Sequence, residues 1–555
     1  MTKPIASLSS ITFSDGQTFH LGRNEKLMLV GPNNSGKSLT LREVVTSAES
    51  QLGNFQRNKV VKGMSFEKTG DEEAFRAFLE ESGTYDSQRQ SYQVRDWTMN
   101  EGFVEHWFKQ PMLWQSAEGF IKNIVAETRL NITGLQNSVS VGAQRTKPQQ
   151  VLYDEQDLME RISRLFRRAF GDDLFFNFRG GASLPIHVGS RPIVEAGEDR
   201  VSDTYVAKVN SFPLLHEQGD GVKSFAGILF EAVATERDIT LIDEPEAFLH
   251  PPQMRRLGET LAEEVRGQLL VATHSSDIMR GFLTGTSGAV RILRMQRNGD
   301  VNQVTEASIA TIKTLWEQPD LRYSNALEGI FHEQTIICED DSDCRLFNSI
   351  ADHMEREAEE NWKDTAYVPA GGKHSIHKIA RVLGQIGVPV TGVFDIDFLS
   401  DAVLVKTTVE GFGGDWSIIE PLWRRVNAAV TAGVTPPTNT EIKQQIIARL
   451  TESGDDALPK GDIHELLKRG EPWAEVKKFG TRAIPNGKAQ KDYATLIAAL
   501  DNLSIVVVPV GEIENYAPEI GLHGPKFVTK LLQDIPLGDE RLANLRSFVR
   551  HVHRQ

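Results

Sequence analysis

A glycine-rich loop between an apolar strand and a helix is the feature that most restricts how this chain can fold. The short apolar run 27–30 is typical of a buried strand, and it leads into Gly31-Pro32-Asn33-Asn34-Ser35-Gly36-Lys37-Ser38. This segment has the spacing G-x-x-x-x-G-K-[ST], and a helix-compatible stretch follows it. Backbone N–H groups of such a loop and the positive end of the helix dipole bind phosphate oxygens. The pattern therefore predicts a nucleoside triphosphate site.

Each predicted contact in this loop has a chemical reason. Lys37 is expected to reach the β- and γ-phosphates, and the Ser38 hydroxyl is expected to bind Mg²⁺. The other candidate nucleotide-binding residues of the loop are Gly31, Asn33, Asn34 and Gly36.

Length and composition limit what the rest of the chain can be. A chain of 555 residues exceeds what a single core can hold, so roughly two to four domains are expected. Two cysteines cannot form a disulfide framework, and no apolar run is long enough to cross a bilayer or to serve as a signal segment. The predicted location is therefore the cytoplasm, without a membrane contact.

The net charge of −15 argues against a protein that coats nucleic acid along its whole surface, because phosphate binding requires positive charge. A local basic groove, or metal ions that carry the positive charge, would still allow nucleic-acid binding. Two stretches are basic: the helix-like segment 154–170, which contains four arginines, and residues 460–491. The second stretch contains Lys460, Lys468, Arg469, Lys477, Lys478, Arg482, Lys488 and Lys491, with Trp473, Phe479 and Tyr493 in or beside it. Each stretch is either a nucleic-acid contact or a solvated face.

A second nucleotide motif follows about 200 residues after the loop. In the segment ITLIDEP, residues 239–245, an apolar strand ends in Asp243 and Glu244. The aspartate can hold Mg²⁺, and the glutamate can orient the attacking water. A further strand-like run, 268–272, leads to His274, which is expected to contact the γ-phosphate.

Three apolar strands in the second half of the chain each end in carboxylates. The run 334–338 precedes Glu339, the run 388–394 precedes Asp395 and Asp397, and the run 505–510 precedes Glu512 and Glu514. The carboxyl ends of parallel strands share one edge of a sheet. Asp395 and Asp397 are expected to project to the same side of an extended strand. Clustered carboxylates suit Mg²⁺ or Mn²⁺, which could act on a phosphodiester.

The first group of motifs resembles the ABC-type ATPases. Gly31–Ser38 corresponds to Walker A, Ile239–Glu244 to Walker B with its catalytic glutamate, and His274 to the switch histidine. The resemblance implies a homodimer in which ATP lies between the phosphate loop of one protomer and the signature loop of the other. The candidate signature loop is Gln218–Ser224, in which Ser224 is expected to start a helix. Because the two Walker motifs are far apart, a large insertion is expected at about residues 60–200.

The second group resembles the Toprim domain, which has a glutamate after its first strand and D-x-D after a later strand. An ATPase followed by Toprim resembles the OLD (overcoming lysogenization defect) nuclease family, which includes the nuclease subunit of Gabija anti-phage systems. The resemblance implies that Glu339, Asp395 and Asp397 are catalytic, and that a lysine acts at the phosphate, for which Lys526 is preferred to Lys530. The implied metal positions in this domain are Glu339, Asp343, Asp395, Asp397 and Glu514, and those in the ATPase are Ser38 and Asp243.

We therefore expect an α/β protein with an ABC-type ATPase domain at 1–330 and a Toprim domain at 331–555, the latter with a helical insertion at about 400–500. The expected activity is ATP-regulated, Mg²⁺- or Mn²⁺-dependent cleavage of DNA in anti-phage defence. The expected assembly is a homodimer or a higher oligomer, with or without an accessory defence protein. Two alternatives remain open: an RNA (tRNA) nuclease similar to PARIS defence proteins, and a non-catalytic ATP-driven clamp or sensor.

Overall fold

The chain folds into two compact α/β units, Met1–Arg322 and Tyr323–Gln555. The structure is a computed structural model, and it describes residues 3–318, 325–357, 360–432, 437–454, 458–468 and 471–554. The α/β class agrees with the prediction from the motifs. Arg469 of the basic stretch lies outside the described residues.

The strands and helices of the first unit follow one another in this order: β1 (Ala6–Phe13), β2 (Thr18–His20), β3 (Lys26–Val30), α1 (Lys37–Ala48), β4 (Val61–Lys68), α2 (Glu72–Ser82), β5 (Thr84–Asp86), β6 (Ser91–Val94), β7 (Trp97–Asn100), α3 (Ala117–Phe120), β8 (Ile121–Ile124), α4 (Ala126–Asn131), α5 (Pro148–Asp154), α6 (Gln156–Phe170), β9 (Asp173–Phe176), β10 (Ile186–Gly189), α7 (Asp203–Val209), α8 (Asp220–Leu229), β11 (Ile239–Asp243), α9 (Pro251–Glu264), β12 (Gln268–Ala272), α10 (Ser276–Gly285), β13 (Arg291–Asn298), β14 (Val301–Glu306) and α11 (Ile309–Glu317).

The central sheet of the first unit brings the nucleotide motifs to one edge. Its six strands have the order β14-β13-β3-β12-β11-β8, and all neighbours are parallel except the β13–β14 hairpin. β3, β11 and β12 are buried apolar runs, as is typical of parallel strands covered on both faces. Because β12 lies between β3 and β11, the segments that follow these three strands are neighbours.

The stretch 60–200, predicted as an insertion, contains strands of the core sheets as well as added structure. β4 pairs with β1 in a three-stranded antiparallel sheet, and β8 forms the edge of the central sheet. The separate β5-β6-β7 sheet and the β9–β10 hairpin lie within the same stretch. Core strands therefore alternate here with added structure.

The strands and helices of the second unit are, in chain order, β15 (Gln334–Cys338), α12 (Asp341–Arg356), β16 (Thr365–Pro369), α13 (Lys373–Gln385), β17 (Val390–Phe394), α14 (Ala402–Gly411), α15 (Trp416–Ala432), α16 (Asn439–Ser453), α17 (Lys460–Lys468), α18 (Pro472–Phe479), α19 (Lys488–Asp501), β18 (Ile505–Val507), α20 (Pro525–Asp534) and α21 (Ala543–His553).

The second unit is built on a four-stranded parallel sheet with the order β16-β15-β17-β18. Helices α12, α20 and α21 contribute to a shared apolar core with β15, β17 and β18. Between β17 and β18 the described residues form helices and no strand, which matches the expectation of a helical segment at about 400–500. The sheet therefore places the segments after β15, β17 and β18 along one edge.

No helix in the described part of the chain is both long and apolar enough to cross a membrane.

Candidate nucleotide site and candidate metal centre

The phosphate loop joins the end of β3 to the start of α1. Gly31 follows β3 directly, Asn33 and Asn34 lie in the turn, and Gly36 is the N-cap of α1. The first N–H groups of α1 therefore open onto the loop, which is the arrangement that binds phosphate at helix N-termini.

Lys37 lies inside this loop. Its Nζ donates hydrogen bonds to the carbonyl oxygens of Gly31 and Pro32, each at 2.8 Å. Burial lowers the pKa of Lys37 to about 8, and the carboxylates of Glu246 and Glu244 act in the opposite direction. The loop thus holds the ammonium group where it is expected to contact the phosphates of a bound nucleotide.

Asp243 ends β11 beside the loop. Burial raises the pKa of Asp243, whereas the Ser38 hydroxyl acts in the opposite direction. Its Oδ1 atom is buried without a hydrogen-bond partner among the described residues. A buried carboxylate oxygen beside a hydroxyl fits Mg²⁺, which takes oxygen ligands.

Glu244 and His274 border one cavity from two adjacent strands. The Glu244 side chain is exposed, and its backbone is left-handed with a φ of 46°, supported by a 2.9 Å hydrogen bond from its N–H to the carbonyl of Ala272. Left-handed non-glycine residues cost about 1–3 kcal/mol and concentrate at functional sites.

Glu246, which the motif analysis did not select, holds His274 in place. Its Oε1 accepts hydrogen bonds from the Thr273 hydroxyl at 2.8 Å and from the His274 backbone N–H at 2.7 Å, and it lies 3.0 Å from His274 Nδ1. Burial raises the pKa of Glu246, although the contacts with His274 oppose this shift. The Glu246 side chain is 4% exposed and the His274 side chain 49%, so a buried carboxylate orients a solvent-accessible imidazole.

Arg129 holds the end of β11 from within the stretch predicted as an insertion. Its guanidinium donates hydrogen bonds to the carbonyl oxygens of Asp243 at 3.2 Å and Glu244 at 2.8 Å. Arg129 is fully buried, and no motif marked it in the sequence.

The nucleotide motifs border a cavity of about 890 Å³. Four basic residues also line this cavity: Arg42, Lys59, Lys62 and Arg297. The volume is in the range of small-molecule sites, and the basic lining suits a triphosphate.

The candidate signature loop, Gln218–Ser224, differs from the expectation. α8 begins at Asp220 rather than at Ser224. Ser224 is fully buried and donates a 3.3 Å hydrogen bond to the carbonyl of Ala247, whereas Gly219 and Asp220 are exposed. Ser224 therefore makes an internal contact, and the helix start at Asp220 is the accessible part.

In the second unit, the ends of β15 and β17 bring three carboxylates together. One oxygen from each of Glu339, Asp395 and Asp397 lies within 4.8 Å of the other two. The backbone N–H of Asp395 also donates a 3.2 Å hydrogen bond to Glu339 Oε1. These are the three residues selected from the strand ends in the sequence.

Asp395 and Asp397 reach this group differently from the prediction. β17 ends at Phe394, and Asp397 lies in a 3₁₀ turn, Ile396–Ser400, of which Asp395 is the N-cap. The alternation of side chains along a strand therefore does not apply. A tight turn, rather than an extended strand, brings the two carboxylates together.

Asp343 and Glu514 lie outside the three-carboxylate group. Asp343 is on the first turn of α12, where burial and the charge of Asp340 raise its pKa to about 8, with smaller effects of Asp395 and Glu339. Glu514 accepts a 2.7 Å hydrogen bond from the N–H of Gly524. It forms a second acidic group with Glu512 and His523, whose ligand atoms also lie within 4.8 Å of one another.

Two lysines that were not selected as site residues contact the carboxylates. Lys373, at the start of α13, lies 2.9 Å from Asp397 Oδ2. Lys477, on α18, lies 2.9 Å from Asp395 Oδ2, 3.5 Å from Asp397 Oδ2 and 3.7 Å from Glu512 Oε2.

The predicted Lys526 does not make these contacts. Its side chain is exposed at the start of α20, and that of Lys530 pairs with Asp534. Within the described ranges, the lysines that contact the three carboxylates are Lys373 and Lys477. The Gly371-Gly372-Lys373 turn before a helix and the basic stretch 460–491 were the available sequence signals for these two lysines.

Burial and mutual repulsion oppose ionisation of these acids. Burial, with the charge of Asp395, raises the pKa of Glu339 to about 7. Burial raises the pKa of Asp395 to about 6 although Lys477 acts against it. Burial also acts to raise the pKa of Asp397, but Lys477 and Lys373 outweigh it and hold that pKa below its usual value. Protein cations thus neutralise only part of the acidic charge.

The donor set fits a hard divalent cation. Asp397 Oδ1 is buried and has no hydrogen-bond partner in the described part of the chain. The three clustered carboxylates offer only oxygen ligands, which Mg²⁺ and Mn²⁺ prefer.

Replacing Lys477 by methionine is expected to enlarge the rise in melting temperature that Mn²⁺ produces. Without the ammonium group, Asp395 and Asp397 repel each other more strongly, so a bound cation relieves more repulsion. A difference of about 1 kcal/mol would appear as about 2–4 °C in a thermal melt with and without Mn²⁺.

Lys478→Met is the matched control, because no ion pair joins Lys478 to a carboxylate among the described residues. Its Mn²⁺-dependent rise should equal that of the wild type. An equal rise in Lys477→Met would show that Lys477 does not offset charge at the metal centre.

Two family profiles match parts of this chain. The profile described as "AAA domain, putative AbiEii toxin, Type IV TA system" matches residues 149–280, and "Overcoming lysogenization defect protein-like, TOPRIM domain" matches residues 330–397. The chain is 26% identical to the Old nuclease of Escherichia phage P2 over 180 residues, which are 30% of this chain and 29% of that protein. The match thus spans well under half of that relative. The predicted combination of an ATPase domain with an OLD-like Toprim domain is confirmed.

Solved structures of ATPase heads are also similar to this chain. The SMC head domain from Thermotoga maritima is 13% identical with a TM-score of 0.28, and the alignment covers 55% of this chain and 98% of that one. A nucleotide-free ATP-binding cassette from an ABC transporter is 12% identical with a TM-score of 0.25, and the alignment covers 58% of this chain and 98% of that one.

Proposed function

We propose that this chain, which joins an ATPase domain to an OLD-like Toprim domain, is an ATP-regulated, divalent-metal-dependent endonuclease that cleaves DNA in anti-phage defence. The observation that carries the proposal is the group formed by Glu339, Asp395 and Asp397 at the carboxyl edge of a parallel sheet, with Lys373 and Lys477 beside it.

Glu339, Asp395 and Asp397 would hold Mg²⁺ or Mn²⁺, with Glu512 and Glu514 available for a second ion. Such ions supply positive charge that stabilises the charge developing on a phosphodiester in the transition state. Lys373 and Lys477 would offset the remaining negative charge and help to admit a phosphate to an acidic site. Asp343 would support the group from α12.

The first unit would bind ATP and Mg²⁺ through the phosphate loop, Ser38 and Asp243. Glu244 would orient the attacking water, and His274, held by Glu246, would contact the γ-phosphate. We infer a homodimer through this unit, in which the exposed start of α8 at Asp220 faces the nucleotide of the partner. ATP would then set the state in which the metal centre is accessible, and the protein would act in the cytoplasm, with or without an accessory defence protein.

The test is cleavage of supercoiled plasmid and of a tRNA pool by the full chain, with Mg²⁺, Mn²⁺ or EDTA, each with and without ATP. We expect nicked or linear plasmid with either metal and none with EDTA. The ATP lanes give the direction of control. Cleavage of tRNA alone would favour the RNA alternative, and ATP binding without cleavage of either substrate would favour a clamp or sensor.

A further inference from the structure

A groove of about 1030 Å³ is lined in part by α18, the helix that carries Lys477, and we call it the α18 groove. It is lined by parts of α18, of residues 481–485 and of residues 509–518, with Val430 and Asn544 at its margins. Its volume is at the upper end of the range for ligand sites.

One helix serves both the groove and the metal centre. Lys477 and Lys478 are consecutive on α18, so their side chains point about 100° apart. Lys477 contacts the carboxylates of Asp395 and Asp397, while Lys478 and Phe479 line the groove. The metal centre and the groove are therefore linked through one helix, which presents Lys477 to the carboxylates and Lys478 and Phe479 to the groove.

Two glycines allow the backbone at the end of α18 to pack closely against the loop that carries Glu512. A Cβ on Gly480, whose φ is +64°, would lie 2.6 Å from the carbonyl oxygen of Pro509, and one on Gly511, whose φ is +109°, would overlap the carbonyl of Lys477. Asn515 Nδ2 also donates hydrogen bonds to the carbonyl oxygens of Lys477 at 3.0 Å and Val510 at 2.8 Å. The groove wall and the acidic loop are thus held in a fixed relation.

The lining combines an exposed aromatic ring with basic side chains. Phe479 is 53% exposed, and Lys478 Nζ lies 5.5 Å from its ring centroid. Glu475 is the single carboxylate among the described lining residues, and no ion pair engages Lys478 or Arg482 in the described part of the chain. The other aromatic residues of this basic stretch, Trp473 and Tyr493, are 5% and 8% exposed and belong to the core.

The other basic stretch is different, because three of its four arginines are paired with carboxylates. On α6, Arg161 lies 2.7 Å from Glu264, and Arg168 lies 3.3 Å from both Glu259 and Glu263. Arg167 pairs with Asp173. Ion-paired arginines on α6 leave less positive charge for phosphates than Lys478 and Arg482 do in the α18 groove.

We propose that the α18 groove binds an unpaired, single-stranded segment of nucleic acid next to the phosphate that is cut, with a base stacked on Phe479 and phosphates on Lys478 and Arg482. The face of a base is available to an aromatic side chain only when the base is unstacked, and such stacking does not depend on sequence. The proposal rests on the proposed function, because it takes the three-carboxylate group as the cleavage centre.

The test measures fluorescence anisotropy of a labelled 12-nucleotide single strand, as DNA and as RNA, and of the matching DNA duplex, with the full chain and Ca²⁺. Phe479→Ala should weaken single-strand binding about tenfold and Phe479→Trp should restore it. Duplex binding should change little in either variant. The double variant Lys478→Ala with Arg482→Ala should reduce the slope of log K against log salt by about 1.4, as expected for two phosphate contacts on a single strand.

Lys488→Ala is the matched control, because Lys488 is exposed in the same basic stretch but does not line the groove. Unchanged single-strand affinity in Phe479→Ala, or an equal loss for duplex, would overturn the groove proposal, and metal-dependent plasmid cleavage by the same wild-type preparation would show that the proposed function still stands. If the wild type neither cleaves nor binds any of the nucleic acids, the proposed function fails and the groove proposal fails with it.

Discussion

Replacing Asp395 by asparagine is expected to reduce metal-dependent DNA cleavage at least about 100-fold. Asparagine keeps the shape of the side chain but removes the charge of one of three clustered carboxylates. Metal ions contribute several kcal/mol to transition-state stabilisation, and each 1.36 kcal/mol is a factor of ten in rate. The measurement is the initial rate of plasmid nicking at saturating Mg²⁺, together with Mn²⁺ affinity by calorimetry, which should fall in parallel.

Asp341→Asn is the matched control for this experiment. Asp341 belongs to the acidic run after β15, but its side chain is 71% exposed and pairs only on the surface with Arg345. Such a pair contributes little, so cleavage and metal affinity should stay close to the wild type. Full cleavage by Asp395→Asn would remove the three-carboxylate group from the mechanism.

Replacing Lys37 by alanine is expected to weaken ATP binding about 100-fold or more. The ammonium group lies within the phosphate loop, and it would make charge-assisted hydrogen bonds to two phosphate groups, each contributing about 1.5 kcal/mol or more. Titration with a fluorescent ATP analogue measures the loss. ATP should then no longer change the rate of plasmid cleavage, whichever direction that change has in the wild type.

Lys59→Ala tests whether any lysine at this cavity has the same effect. Lys59 lines the cavity with an exposed side chain outside the phosphate loop, so only a small loss of ATP affinity is expected. Equal losses in the two variants would indicate general electrostatic attraction rather than a specific contact of Lys37. If cleavage by Lys37→Ala still responded to ATP, ATP would act through a site other than this phosphate loop.

The parts of the fold that could be predicted from the sequence are those with local causes. Apolar runs followed by glycine, acidic or other polar residues predicted β3, β11, β12, β15 and β17 within about two residues of their bounds. A strand followed by G-x-x-x-x-G-K-S determines the arrangement of the phosphate site locally, because the loop, the helix start and the lysine are consecutive in the sequence. The convergence of Glu339 with the D-x-D pair followed from the rule that ligand sites lie at the carboxyl edge of parallel strands.

The residues that sequence reasoning missed act over long separations in the chain. Lys477 reaches Asp395 from a helical segment more than 80 residues later, and Arg129 reaches Asp243 from more than 110 residues earlier. In the sequence, a lysine or arginine that contacts a site looks the same as a solvated one, and only the tertiary packing distinguishes the two. The turn at Asp397 and the early start of α8 depend on local hydrogen bonds that a period-2 or period-3.6 pattern does not encode.

Arg129 has a consequence for how such proteins can be recombined. Its guanidinium joins the carbonyls of Asp243 and Glu244 to a segment that the spacing of the motifs predicts to be an insertion. A chimera that keeps the Walker motifs but exchanges the segment between them for one without this arginine would leave the carbonyl groups of Asp243 and Glu244 without that donor. Residues 121–131 and 239–246 should therefore be exchanged together, as one module.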